Sequence, residues 1–320
     1  MVTHAHGVKS EEVQLASRTM PLILSTITLV LEPEVPRLTV TYTPTPKDVT
    51  DFDKYRFRLS DNDVNVQEKD WDDNNRKIVF QNLVPGRQYN VTVWTVSGEV
   101  TSAPLIKQDV LYPDPVSNIN ATLMKEDEIT LVWTRPQGDL DGYEVQYLSE
   151  DGRFITNQTN NDGMRVTRLR PHRNYTFTVL TRSGGRQAKP VSATFSTLEA
   201  TPGKVAALTP VDVRPNQLRL RWSLAPENQN GVLQGFILKY GPRGEEAMVR
   251  KFEPDEFTGV IQDLLPGKTY HFQIQAINSV GEGRVSALDY TMPVGGERYI
   301  QLCSALFYSR NERSLTLVII

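Results

Sequence analysis

Four asparagines stand in Asn-x-Ser/Thr triplets with no proline between: Asn90, Asn120, Asn157 and Asn174. That triplet accepts N-linked glycan, so each is a candidate modification site in a chain that meets a secretory compartment. The triplet also arises by chance, and its placement therefore says more than its number. Asn90 follows Tyr89 and Asn174 precedes Tyr175, in segments where apolar and polar residues alternate; alternation of that period turns both amides to water. A second candidate is the pair Arg182 and Arg186, which flank Ser183-Gly184-Gly185. Residues 165–189 hold seven cations and no acid, whereas acids predominate from Asp114 to Asp162. A compact cationic turn on a rigid frame would steer an acidic protein ligand or a sulfated glycan. The plainer reading is a hairpin turn kept soluble by its arginines.

Spacing removes the other chemistries. Asp61-x-Asp63-x-Asn65 opens like a calcium loop, but Val66 takes the place of the glycine and Asp72 the place of the bidentate glutamate, so these read as solvated loop acids. The four histidines are His4, His6, His172 and His271. The first two fall in an irregular start and the other two lack ligand spacing. No nucleophile pairs with a base and no glycine motif opens a helix, so neither catalytic residue nor metal, cofactor or small-molecule substrate is expected. A net charge of −3 gives no support to nucleic-acid binding.

The elements that carry these residues follow from one phrase, Leu-x-Pro-x-x-x-Tyr, at 83–89, 169–175 and 264–270. After each tyrosine the apolar residues alternate: Tyr89, Val91, Val93, then Tyr175, Phe177, Val179, then Tyr270, Phe272, Ile274. Such alternation is a half-buried strand. The Leu-x-Pro before it is a corner between two sheets, where a tyrosine can bury its ring and give its hydroxyl to an upstream backbone group. The corners lie 86 and 95 residues apart, and the aromatics Tyr42, Trp133 and Trp222, each ending an alternating run, lie 91 and 89 apart. Two landmarks with nearly one period, and nothing helical inside it, mean an array of small all-β domains. The boundaries fall at 22–112, 113–199 and 200–293, with an irregular start over 1–21 and a tail over 294–320. Pro113, Pro115 and Pro202 restrict the two short linkers, across which contacts are expected to be few.

Cys303 is the sole cysteine, so no disulfide framework exists. Domains of this size can stand on their hydrophobic core alone, which keeps the compartment open. No run reaches the length of about 18 apolar residues that spans a bilayer. The apolar stretch from Met20 to Leu31 follows Glu11 and Glu12 and reads as a first strand rather than a signal segment.

The Pro-x-x-Val/Ile openings, the strand ending Trp-x-x-Pro, Tyr-x-Val-x-Tyr and Leu-x-Pro-Gly-x-x-Tyr together resemble fibronectin type III domains, over about 270 of the 320 residues. Tyr42 replaces the tryptophan in the first copy and His172 replaces the corner glycine in the second. More narrowly, GDLDGYEVQY at 138–147 and the strands at 89–98 and 178–185 resemble ectodomain repeats of receptor-type protein tyrosine phosphatases, most of all the many-repeat subclass with insect members. A phosphatase loop needs Cys, five residues and Arg. Here Arg310 comes one position too late after Cys303 and no glycine or preceding histidine accompanies it, so the chain itself is expected to be no enzyme. The resemblance implies a non-catalytic extracellular spacer and protein-recognition array of a cell-surface receptor, held at the membrane by a segment outside this chain. Two alternatives are an intracellular cytoskeletal scaffold of the same modules and accessory modules of an enzyme whose catalytic domain lies elsewhere.

Overall fold

The computed structural model describes residues 18–60, 64–149 and 151–294, together with two short strands, β1 (His4–Ala5) and β2 (Val8–Lys9), that pair with each other. The tail and Cys303 lie outside the described residues, as do Asp61, Asp63 and most of the start.

The first domain contains β3 (Thr26–Leu31), β4 (Leu38–Thr43), β5 (Lys54–Ser60), β6 (Val64–Asp70), β7 (Lys77–Phe80), β8 (Gln88–Ser97), β9 (Val100–Thr101) and β10 (Leu105–Val110). They form a three-stranded sheet ordered β3-β4-β7 and a second sheet ordered β10-β8-β5-β6, with β9 also on β8. Asn65 and Val66 belong to β6, which pairs residue by residue with β5, so the calcium-like spacing is cut by a strand.

The second domain repeats the plan with β11 (Ser117–Met124), β12 (Glu128–Thr134), β13 (Gly142–Leu148), β14 (Phe154–Thr159), β15 (Gly163–Thr167), β16 (Asn174–Ser183), β17 (Arg186–Gln187) and β18 (Val191–Ser196). Its sheets are β11-β12-β15 and β14-β13-β16-β17, with β18 also on β16. The third comprises β19 (Ala206–Arg214), β20 (Gln217–Ser223), β21 (Leu233–Pro242), β22 (Met248–Phe252), β23 (Thr258–Ile261), β24 (Thr269–Asn278) and β25 (Ser286–Thr291), in sheets β19-β20-β23 and β22-β21-β24-β25.

Each domain has its own core between its sheets. Leu38, Val40 and Tyr42 of β4 face Tyr55, Phe57 and Leu59 of β5 in the first domain, and Ile129, Leu131 and Trp133 face Tyr143 and Val145 in the second. Leu218, Leu220 and Trp222 meet Phe236 and Leu238 in the third. These are the residues that alternation turns inward, and burying each such side chain contributes about 1.5–3 kcal/mol. Tyr147 and Tyr240 are only half-buried at the rim of their cores. Tyr42 fills the tryptophan position, its ring 5.0 Å from Tyr55 and 5.2 Å from Phe57. The next aromatic along differs between domains. Tyr55 accepts from the Thr45 amide, whereas Tyr143 donates to Asp162 Oδ1 at 2.5 Å. Burial first, and then that carboxylate, push the Tyr143 hydroxyl up to about 12.

The three corners are built alike. Tyr89, Tyr175 and Tyr270 are buried, and each hydroxyl accepts the amide N–H five residues upstream, from Val84, Arg170 and Leu265, at 2.9 Å in every case. The expected bond is thus present with the roles exchanged: the amide donates and the hydroxyl receives. The tip of each corner also bonds to the segment just after the last strand, through Gly86 N to Tyr112 O, His172 N to Leu198 O and Gly267 N to Met292 O. All three tip residues have positive φ, at 72°, 54° and 72°. His172 therefore holds the left-handed conformation that the other two corners give to glycine.

Candidate functional site

Ser183 pairs with Arg186, and Gly184-Gly185 forms the two-residue turn between β16 and β17, the hairpin that Ser-Gly-Gly signals. Its tip lies against the first domain. The Arg186 guanidinium donates to both carboxylate oxygens of Asp109, at 2.9 and 3.1 Å, and to the Tyr112 hydroxyl at 3.1 Å. Its carbon also stands 5.0 Å from the centre of the Tyr112 ring. The Asp109 bond pushes the Arg186 pKa further up. Arg186 thus has its charge, its donors and its planar face engaged within the chain, and an acidic ligand there would have to compete with Asp109. Arg182 is half-exposed on the same hairpin, and its carbonyl accepts the Asp141 amide at 2.7 Å.

Around this pair the two domains meet through backbone as well as side chains. The Asp139 amide donates to Pro85 O at 2.9 Å, and Ser183 Oγ donates to Gly86 O at 2.6 Å. Arg87 Nε donates to Asp139 Oδ2 at 2.9 Å, and Lys189 stands 3.2 Å from Glu34. Asp141 braces the tip from within the second domain by accepting the Gly184 amide at 2.7 Å. A Cβ added to Gly86 would come within 1.9 Å of Asp139 O. The corner of the first domain is therefore half of an interdomain joint. The expectation of few contacts across this linker is corrected: only residues 111–116 separate β10 from β11, with Pro113 and Pro115 restricting them, and the loops of both domains come within bonding range. Asp109 and Tyr112 carry no motif, while Arg87, Asp139 and Ser183 lie in the corner phrase, the 138–147 run and the Ser-Gly-Gly turn without any of these marking a partner in the other domain.

All four triplet asparagines are exposed. Asn90 on β8 and Asn174 at the start of β16 project outward beside their buried tyrosines, and Asn174 Oδ1 accepts from Ser196 Oγ at 2.6 Å. Asn120 lies on β11 and Asn157 on β14, each the edge strand of its sheet. The structure brings the asparagines to no common site.

Among the described residues no group of three or more His, Cys, Asp or Glu side chains is placed to hold a metal ion. His271 bonds to Asp289 within the third domain, beside an open groove of about 310 Å³. No helix among these residues is long and apolar enough to cross a membrane.

Comparison with known proteins agrees with this architecture. The family described as "Fibronectin type III domain" matches residues 31–108, 114–194 and 202–288. Mouse tenascin-N is 25% identical over 249 residues, covering 77% of this chain and 15% of that protein. Human receptor-type tyrosine-protein phosphatase H is 25% identical over 215 residues, covering 66% and 19%. Human neural cell adhesion molecule L1 is 28% identical over 193 residues, covering 54% and 15%. The chain thus spans less than a fifth of each of these relatives.

Proposed function

The chain belongs to the fibronectin type III family, as three tandem domains, and from that premise we propose that it works outside the cell as a non-catalytic spacer and protein-recognition array of a cell-surface receptor. A receptor-type tyrosine phosphatase as the parent is the narrower form of this reading. The observation that carries it is the joint. A spacer has to fix distance and direction, and backbone bonds plus the Arg186–Asp109 and Arg87–Asp139 pairs hold the first two domains in one mutual orientation. Interfaces between domains of one chain otherwise default to relative motion. Relatives named as a neural cell adhesion molecule and a receptor-type phosphatase support a place at the cell surface. So does the exposure of Asn90, Asn120, Asn157 and Asn174 as glycan acceptors.

The partner is a protein ligand met by loops on this frame. A sulfated glycan at the Arg182/Arg186 tip is the weaker form, because it would have to displace Asp109 from Arg186. The test is secretion behind a working signal sequence, followed by glycosidase treatment and mass spectrometry. N-glycan on the folded product is the expected result. A folded, secreted chain bare at all four asparagines would overturn the extracellular reading in favour of an intracellular scaffold.

A further inference from the structure

An edge strand offers unpaired N–H and C=O groups to any other chain, and proteins blunt such edges with charge, proline or bulges. In the three domains β6, β14 and β22 occupy the same place, closing the larger sheet on one side. β6 (VNVQEKD) carries Glu68, Lys69 and Asp70, and β22 (MVRKF) carries Arg250 and Lys251. β14 reads FITNQT, with no charge, no proline and no glycine. Six residues of that kind match the signature of a segment that stacks on its own copies. Two edges of the smaller sheets, β11 and β19, each carry two register shifts, whereas β14 pairs with β13 through six consecutive residues without one, as β3 does with β4 in the first domain. Phe154 at its head is 75% exposed. The one feature β14 has and its counterparts lack is the glycan triplet at Asn157, exposed at the fourth of its six residues.

We propose that an N-linked glycan on Asn157 guards this edge, doing by bulk and hydration what charge does on β6 and β22, and that without it two copies of the chain associate through β14. The proposal rests on the extracellular reading, since only a secreted chain acquires the glycan. A branched, hydrated glycan rooted in mid-strand would sweep most of an edge of about 20 Å, at ~3.3 Å per residue, and exclude an incoming strand.

The test uses the full chain secreted from eukaryotic cells, with site occupancy read by mass spectrometry and molar mass by light scattering across a concentration series. Wild type is expected to carry glycan at Asn157 and to keep one mass throughout. Asn157→Gln and Thr159→Ala, which abolish the triplet from either end, should each show a concentration-dependent rise of about twofold or more, as edge pairing requires. Adding Gln158→Lys, a charge on the same strand, should return both variants to the wild-type mass. Glycan at the other asparagines with Asn157 bare would overturn the proposal while leaving the extracellular reading standing. So would both triplet variants keeping the wild-type mass, or association that Gln158→Lys leaves unchanged. All four sites bare would remove the extracellular reading and the proposal together.

Discussion

The corners of the first and second domains share a backbone path and a tyrosine bond, yet their tips are constrained by different things. At Gly86 the left-handed φ of 72° coincides with a neighbour: a Cβ would lie 1.9 Å from Asp139 O, across the joint. At His172 the φ of 54° is just as left-handed, but the side chain is exposed and stands 3.7 Å from Glu199. The third corner separates the two effects, because Gly267 has the φ of Gly86 and its Cβ would meet only Val294, at 3.6 Å. Conformation alone thus tolerates a histidine. It is contact with a second domain that excludes a side chain, and the first corner serves the joint as well as its own fold.

The largest expected effect tests whether damage crosses that joint. Trp133, 5% exposed, packs 5.2 Å from Tyr143 in the second core. Trp133→Ala should cost about 3–5 kcal/mol, and calorimetry should find the melting of the first domain lowered with that of the second. A first domain that melts as in wild type would separate the two. Next come the glycines. Gly86→Ala should cost about 2–5 kcal/mol, combining left-handed strain with overpacking, whereas Gly267→Ala should cost about 1–2 kcal/mol from strain alone. Equal costs in denaturant titration would erase the distinction between the corners. Smaller still, Tyr89→Phe and Tyr175→Phe should each lose about 1 kcal/mol as one hydrogen bond disappears. A clear inequality would mean that the joint reaches the tyrosine. Smallest is His172→Gly, which relieves about 1–2 kcal/mol of strain and returns about 0.5–1 kcal/mol in unfolded-chain entropy. Its melting point should rise slightly; a fall would give the His172 side chain a structural role.

The elements were legible where one residue type had one place to go. The spacing of Leu83, Pro85 and Tyr89 and its two repeats located every corner, because Leu-x-Pro ends one sheet and a buried tyrosine opens the next. The alternation at Leu38–Tyr42, Ile129–Trp133 and Leu218–Trp222 located the cores. The direction of the tyrosine bond was not legible, since a hydroxyl donates or accepts and only the facing amide decides. The joint was hidden for a different reason. Arg186 and Asp109 are 77 residues apart, and Arg87 and Asp139 are 52 apart, at turns and strand ends with no periodicity to mark a partner. A lone arginine in a Gly-Gly hairpin looks the same in sequence whether it faces water or another domain.

Whether the first two domains move as one body is tested most directly by ¹⁵N relaxation of backbone amides in the full chain, from Thr26–Val110 and from Ser117–Ser196. One rotational diffusion tensor should fit both sets, and Gly86→Ala should split it into two. Two independent tensors in the wild-type chain would contradict the joint as a rigid element and leave the spacer without its fixed angle.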